Sequence, residues 1–169
     1  MDDQVNDGTA DVSLANGADN LPAIGMISQY VKDLSFESPN APAIFQQQAQ
    51  PNIEVEFGIA TNQVGEDVHE VTLKIDVKAK SDATTAFIID LTYAGLFGVR
   101  NVPTDQLQPF MLGEAPRLLF PFARRVVADA VRDGGFPPLM LDPIDFGSLY
   151  LQQLAAKDQA ETEGAAGNA

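Results

Sequence analysis

Alternating hydrophobic and polar positions dominate the middle of the chain. In residues 53–60 and again in 71–78, a hydrophobic side chain follows a polar or small one at every second position. A period of two predicts β-strands that have one buried and one solvent-exposed face. Residues 84–93 carry one continuous apolar row and one mixed row, which indicates a strand with contacts on both faces. Residues 26–36 are a weaker fourth candidate.

Short polar turns separate these strand candidates. Gly65, Glu66 and Asp67 lie between the first two long strands, and Ser81 and Asp82 precede the third. A parallel pair needs a crossover connection of about a dozen or more residues. Connections this short therefore predict antiparallel neighbours.

The second half of the chain has the spacing of an amphipathic helix. Hydrophobic residues recur every three or four positions over 119–131, which forms a single apolar stripe. Pro121 should lie in the first turn or kink the helix, because its ring clashes with the carbonyl group four residues earlier. Gly134 is suited to the left-handed position that ends a helix. Strands followed by helices predict an α+β fold.

Weaker sequence patterns predict the structure of the remaining segments. Residues 106–112 predict a shorter helix, and Asp145 can cap a terminal helix over 146–156. Residues 1–22 are acidic and poor in apolar side chains, so we expect a disordered extension before a folded domain at 23–156. Residues 157–169 predict a disordered tail.

The charge balance restricts the partners of the protein. Twenty-four acidic residues outnumber ten lysines and arginines, which gives a formal net charge of −14. Nucleic acids and anionic membranes are bound through accumulated positive charge, so both are disfavoured. A basic partner would instead be attracted by the electric field of the protein.

The termini and the cysteine content indicate a cytoplasmic protein. Residues 1–3 (Met-Asp-Asp) lack the basic and apolar regions of a signal peptide. No stretch approaches the roughly 20 apolar residues that span a bilayer, so no membrane insertion is expected. The chain has no cysteine, which excludes disulfides and thiolate metal sites.

Few side chains offer catalytic or metal-binding chemistry. His69 is the single histidine, and its position at the start of a strand favours a solvated or sheet-edge role. Glu54 and Glu56 share a strand face, but paired acids in so acidic a chain mostly form a solvated surface. The sequence contains no glycine-rich phosphate-binding motif. We therefore expect a binding protein that is not an enzyme and that needs no metal or other cofactor.

The apolar content exceeds what one small layered domain can cover. A helix stripe is ordinarily part of a core, but here the strands add a large apolar area of their own. Burying one Phe or Leu side chain stabilises by about 1.5–3 kcal/mol, so leaving several exposed would be costly. Self-association, binding of another polypeptide, or both are the expected uses of this surface.

Two separated sequence blocks resemble one protein family. Residues 32–45 read KDLSFESPNAPAIF, and residues 134–146 read GGFPPLMLDPIDF after a helix that opens with LLFPFAR. Over residues 27–154 the chain resembles the bacterial protein-export chaperone SecB. The resemblance implies a four-stranded antiparallel sheet with helices packed on one face, assembled into a homotetramer as a dimer of dimers. It also implies a helix stripe at the tetramer interface, formed by Leu119, Phe122, Ala123, Val126, Val127 and Ala130.

The same resemblance implies a function and two binding surfaces. Members of the family hold unfolded preproteins without ATP and deliver them to SecA, the motor of the translocon. The residues that match the docking surface for the basic, zinc-carrying tail of SecA are Asp33, Glu37, Ile88 and Asp90. The residues that match the client groove are Ile44, Phe45, Phe87 and Phe97. Ala49 departs from the family, which commonly has tryptophan there, and this predicts weaker but still general client binding.

Two further hypotheses remain open at this stage. The chain could be an acidic oligomeric scaffold that binds one folded basic partner, or a hydrolase that depends on carboxylates. A chaperone would suppress aggregation of several unrelated unfolded proteins without nucleotide, whereas a scaffold would not. A hydrolase would lose its turnover when the essential Asp or Glu is replaced.

Overall fold

Four long strands form one antiparallel sheet in the computed structural model, which describes residues 20–166. The strands are β1 (Ala23–Glu37), β2 (Asn52–Gly65), β3 (Val68–Ser81) and β4 (Thr84–Arg100). Two-residue turns connect β2 to β3 and β3 to β4, so the predicted antiparallel hairpins are confirmed. The order across the sheet is β1-β4-β3-β2, which leaves β1 and β2 at the edges.

The connection between the two edge strands is fastened to β4. It contains a short 3-10 helix, Ala43–Gln46, whose Ile44 is buried. The Ser38 hydroxyl donates a hydrogen bond to the carbonyl oxygen of Ala86 at 3.0 Å. The Asn40 side-chain amide donates one to the carbonyl oxygen of Thr85 at 2.9 Å. These bonds hold the connection across the start of β4.

Helical segments follow the sheet in the order that the sequence predicts. They are α1 (Thr104–Pro109), a π-helical turn (Phe110–Glu114), α2 (Ala115–Asp133) and α3 (Phe146–Ala166). The expected short helix over 106–112 corresponds to α1 and the beginning of the π-helical turn. Pro121 lies inside α2, beyond its first turn.

The core lies between α2 and one face of the sheet, here called the inner face. Leu119, Ala123 and Val127 of α2 are completely buried. A Cβ on Gly95 would lie 2.8 Å from a methyl carbon of Leu119, which shows how closely α2 approaches β4. The strand side chains buried on the inner face are Leu73, Ile75, Val77, Phe87, Ile89 and Leu91.

This packing corrects the predicted assignment of the helix stripe. Leu119, Ala123 and Val127 have no exposed surface, because their own sheet covers them. They belong to the core of the subunit rather than to a surface between copies. Phe122 keeps 42% of its surface exposed, and Val126 and Ala130 are partly exposed.

Two adjacent glycines end α2, and they adopt different backbone conformations. Gly134, the expected left-handed residue, has a right-handed φ of −75°, whereas Gly135 has a φ of +90°. The amide of Phe136 donates to the carbonyl of Val131 at 3.2 Å, and that of Gly135 donates to Arg132 at 3.0 Å. This pair of bonds is a Schellman motif, which places the left-handed residue one position later than predicted.

The terminal helix begins as predicted but runs further. The backbone amide of Ser148 donates to the carboxylate of Asp145 at 3.0 Å, which confirms the N-cap. Residues 157–166, assigned to a disordered tail, are helical in the structure. Their Ala, Gln, Glu and Lys residues are good helix formers, and Lys157 pairs with Glu161 at 4.0 Å. Of the extension over 1–22, residues 1–19 lie outside the described part of the chain.

Replacing Gly134 with Ala should destabilise the protein by about 1–3 kcal/mol. A Cβ at this position would overlap the ring of Phe36, although the backbone conformation suits alanine. The midpoint of urea unfolding measures the effect. Gly164→Ala is the control, because a Cβ there meets nothing within 4 Å. A penalty that persists in a Phe36→Ala background would contradict the explanation.

Val127→Asp should unfold the protein, because a carboxylate would be buried with no partner at a position of 0% exposure. The expected cost exceeds about 4 kcal/mol. Phe122→Asp, on the exposed side of the same helix, should remain folded. Circular dichroism during heating distinguishes the two variants. A native-like Val127→Asp protein would show that Val127 is not a core residue.

Candidate functional site

The sheet has a second face that α2 does not cover, here called the outer face. Glu37 pairs with Ile88 across β1 and β4, and Asp33 pairs with Thr92. Residues directly opposite in antiparallel strands point to the same side. Asp90 lies two positions from Ile88 and therefore shares its face. The structure thus brings all four residues of the predicted docking surface together on neighbouring strands.

A β-bulge in β1 makes this arrangement possible. Val31 pairs with Tyr93 and Asp33 pairs with Thr92, so Lys32 is an extra residue without a counterpart in β4. A bulge redirects the side chains that follow it. A second register shift occurs after Met26. These two irregularities explain why β1 has a weaker alternating pattern than the other strands.

Two acidic residues that were not assigned to the docking surface from the sequence extend it onto β3 and β2. Asp76 lies directly opposite Asp90, and Glu56 of β2 lies opposite Asp76. Lys74 brings its ammonium nitrogen to 3.8 Å from the carboxylate of Asp76 and 3.9 Å from that of Asp90. The alternation of charges along β3 is visible in the sequence. The sequence does not reveal which strand lies beside β3, or in which register the two strands pair.

The neighbouring acid perturbs Asp76. Burial raises the pKa of the Asp76 carboxyl above its usual value, and the negative charge of Asp90 raises it further. The Lys74 ammonium acts in the opposite direction. These side chains border a depression of about 470 Å³ that Glu54, Lys78 and Ile88 also line. The centre of the outer face is therefore a shallow, charged depression with an aliphatic wall.

A second charged cluster on the outer face ties the edge strand to the sheet. Lys32 donates a hydrogen bond to the carboxylate of Glu70 at 2.7 Å, and the Tyr30 hydroxyl donates another to the same group. The bonds from Lys32 and Tyr30 lower the pKa of Glu70, and the bond to the Glu70 carboxylate raises the pKa of Tyr30 to about 12. Glu70 is only 9% exposed. The cluster links β1 to β3 across β4, in which Ala94 is the cross-strand partner of Tyr30.

An apolar groove lies at the opposite side of the subunit, between the β1–β2 connection and the segment after α2. Phe45 and Phe136 form its aromatic wall, with ring centroids 5.1 Å apart. One cavity of about 260 Å³ and a neighbouring one of about 220 Å³ share Pro51, Phe136 and Pro137 in their walls. We call these two adjoining cavities the client groove. Ala49 lines the larger cavity, so the missing tryptophan ring leaves space there.

The predicted client residues separate into three groups. Phe45 is 48% exposed and is directly accessible. Ile44 and Phe87 line the groove, but each is at least nine-tenths buried and forms the base rather than the rim. Phe97 is completely buried and packs edge-on against Phe110, with ring centroids 5.7 Å apart. Phe97 is therefore a core residue that does not line the groove.

Two groove residues were not predicted. Phe136 contacts both Phe45 and Phe87, the latter with ring centroids 5.0 Å apart. Ile53 at the start of β2 is 38% exposed and lines the smaller cavity. The proline-rich segment after α2 stands out in the sequence. No local sequence pattern indicates that this segment contacts residues more than forty positions earlier in the chain.

Edge strand β1 carries an excess of exposed apolar side chains. Large hydrophobic residues of β1 with exposed fractions of 37–60% are Met26, Ile27, Val31 and Leu34. An edge strand also presents unpaired backbone hydrogen-bonding groups. The composition predicts an interaction surface, and the exposed apolar side chains and unpaired backbone groups of β1 are features of such a surface.

The described residues offer little metal or membrane chemistry. Within residues 20–166, no group of three or more His, Cys, Asp or Glu side chains is arranged to hold a metal ion. None of the helices in that part of the chain is long and apolar enough to cross a membrane. His69 lies in β3 between Gln63 of β2 and Phe97 of β4.

Glu70→Gln should lower the stability by about 1 kcal/mol at neutral pH, because the ion pair with Lys32 is lost. The folded-state pKa of Glu70 is lowered, so its stabilisation is complete above the unfolded value of 4.5. This stabilisation disappears as the pH falls through the pKa of Glu70 in the folded state. The urea midpoint of the wild type should therefore approach that of Glu70→Gln in acid. Glu66→Gln, in an exposed turn, is the control. If the urea midpoints of the wild type and of Glu70→Gln kept the same difference at every pH, the stabilising role assigned to ionised Glu70 would be wrong.

Comparisons with known proteins agree with the fold and with the sequence blocks. A model of the family described as Preprotein translocase subunit SecB matches residues 17–157. Protein-export protein SecB of Sphingopyxis alaskensis is 65% identical over 151 residues, which cover 89% of this chain and 88% of the relative. The protein of the same name from Rhizorhabdus wittichii is 62% identical over 146 residues, which cover 86% and 87%.

A solved structure shares the fold at much lower sequence identity. The SecB-like chaperone Rv1957 of Mycobacterium tuberculosis, in complex with a ChAD peptide from the HigA1 antitoxin, superposes with a TM-score of 0.61. The identity is 17%, and the match covers 72% of this chain and 90% of the other. The family match over most of the chain, the close relatives and the antiparallel sheet with its helices lead to one conclusion: this chain belongs to the SecB family.

Proposed function

We propose that this protein is an ATP-independent chaperone that holds unfolded preproteins in the cytoplasm and delivers them to SecA for export. Its membership of the SecB family, whose relatives are named protein-export proteins, is the observation that carries the proposal. The subunit supports it with two separate surfaces, one apolar and one acidic. An enzymatic role is not part of the proposal.

The client groove has the chemistry that an unfolded chain requires. Phe45 keeps about half of its surface exposed although its ring packs on Phe136. Covering the remaining surface of Phe45 is worth about half of the roughly 1.5–3 kcal/mol gained by burying a whole Phe side chain, and the client buries apolar surface of its own. Adjoining cavities can accept successive apolar side chains of an extended peptide. Many weak contacts along one chain combine into strong binding without sequence specificity.

The outer face has the chemistry for a basic partner. Asp33, Glu37 and Asp90 supply carboxylates around Ile88, which offers an aliphatic contact. Charge complementarity of this kind accelerates association and fixes orientation more than it adds affinity. The proposed ligand is the basic tail of SecA, and the zinc ion belongs to that tail.

The proposed assembly is a homotetramer formed as a dimer of dimers. Two features support self-association: the exposed apolar side chains of edge strand β1 and the exposed side of α2. On α2 this side includes Phe122, with Val126 and Ala130 beside it. A lone subunit would leave these apolar surfaces in water, which is unusual for a soluble monomer.

The acidic scaffold remains the alternative, and the client groove argues against it. A scaffold that binds one folded basic partner would use its apolar surface only for self-assembly, and the exposed side chains of β1 and α2 already offer surface for that. The two hypotheses differ in one assay. The chaperone suppresses aggregation of several unrelated denatured proteins in the absence of nucleotide, and the scaffold suppresses none.

Reciprocal variants should separate the two surfaces. Asp90→Lys should weaken binding of the zinc-loaded SecA tail about tenfold or more and leave client holding unchanged. Phe45→Ser should weaken client holding by about three- to tenfold and leave SecA binding unchanged. Calorimetry with the tail and light scattering of a denatured preprotein measure the two activities.

A matched control for the charge reversal is Glu66→Lys, which changes the net charge equally in the turn between β2 and β3. It should alter neither activity by more than about twofold. If Asp90→Lys and Phe45→Ser each impaired both activities to the same degree, the separation of the two surfaces would be wrong.

A further inference from the structure

On the outer face, one lysine lies between two carboxylates that the strand register sets directly opposite each other. Asp76 of β3 and Asp90 of β4 are cross-strand partners. The Lys74 ammonium is 3.8 Å from the first and 3.9 Å from the second. All three side chains are between 42% and 50% exposed, so a ligand can reach them.

The two carboxylates need a positive charge between them. Like charges directly opposite in a sheet repel each other. Partial burial and the negative charge of Asp90 both raise the pKa of Asp76, in agreement with this repulsion. Lys74 relieves this repulsion.

The neighbouring lysine on the same strand provides a comparison. Lys78 projects from the same face as Lys74 and lines the same depression. Within residues 20–166, Lys78 makes no ion pair within 4.0 Å. The pairing of Lys74 is therefore a property of its position between two acids, not of positive charge on this face in general.

Asp90 is also part of the docking surface proposed for SecA. A cationic side chain of a partner can pair closely with Asp90 only if it competes with Lys74. The depression of about 470 Å³ beside the pair, with Glu56 and Ile88 in its wall, has room for such a side chain. An aliphatic wall suits the carbon chain of a lysine or an arginine.

We infer that Lys74 is an internal counter-ion of the docking surface, and that a cationic side chain of the basic SecA tail displaces it from Asp76 and Asp90. The inference rests on the proposed SecA docking and adds two residues, Lys74 and Asp76, to it. Lys74 lowers the affinity for every basic partner. Displacing Lys74 from the two carboxylates costs binding free energy, and only a partner that brings several positive charges together can offset that cost. Lys74 therefore acts as a determinant of specificity.

Calorimetric titration of the full chain with the zinc-loaded SecA tail tests the inference. Lys74→Gln should bind about three- to tenfold more tightly than the wild type, because two weak ion pairs no longer compete. Lys78→Gln removes the same charge from the same depression but frees neither Asp76 nor Asp90, so its gain in affinity should be clearly smaller than that of Lys74→Gln. Asp76→Asn should bind about two- to threefold more weakly.

A second variant guards against an effect of Lys74→Gln on folding. In Lys74→Gln/Asp76→Asn the two carboxylates no longer repel each other, and Asp90 is free of its internal partner. The double variant should bind more tightly than Asp76→Asn alone. Circular dichroism confirms that each variant is folded before the titration.

The outcomes separate the inference from the proposal on which it rests. If the wild type binds the tail and Lys74→Gln binds no more tightly, or gains no more than Lys78→Gln, the displacement of Lys74 is wrong while SecA docking stands. If the wild type does not bind the tail at all, the proposed docking itself fails, and the inference fails with it.

Discussion

The packing of α2 against the inner face of the sheet is the interaction on which the rest of the structure depends. It buries the apolar stripe of the helix and the apolar rows of β3 and β4 in one core. The helix can cover only one face, so the outer face remains open to solvent and carries the charged side chains. It also leaves edge strand β1 partly uncovered, where large apolar side chains remain exposed. The two kinds of free surface are consequences of this one contact.

The end of the same helix builds the client groove. Gly134 lets the ring of Phe36 approach the backbone, and Gly135 turns the chain through a left-handed conformation. The turn carries Phe136 back onto the sheet, where it packs between Phe45 and Phe87. The groove is therefore supported directly by the core, and it does not depend on a flexible loop. A substitution at the helix end would therefore alter both the stability and the shape of the groove proposed for clients.

Much of the fold could be predicted because its signals are local. Alternation with a period of two identifies β2, β3 and β4, and the three-to-four spacing identifies α2. The order of the strands could not be predicted, because the long connection after β1 has no pattern that reveals which edge it reaches. Bulges weaken the alternation of β1, and polar residues conceal the second half of α3, whose helix propensity is nevertheless high.

The candidate site was predictable only where it resembles a family motif or follows from strand alternation. The residues proposed for docking on β1 and β4 come from the resemblance, and the register brings them together. Asp76 and Lys74 could not be identified, because their importance depends on the pairing of β3 with β4. Phe97 and Val127 look as suitable for binding as Phe45 does in a linear sequence. Only the packing shows that they belong to the core, because hydrophobic character alone does not distinguish a core residue from a binding residue.

Methyl NMR of the full chain labelled at isoleucine tests the central claim, the division of functions between the two sides of the sheet. Ile44 and Ile53 report on the client groove, and Ile88 reports on the outer face. A denatured preprotein should shift the methyl signals of Ile44 and Ile53, whereas the SecA tail should shift that of Ile88. A preprotein that moves Ile88 and leaves the groove isoleucines unchanged would contradict it.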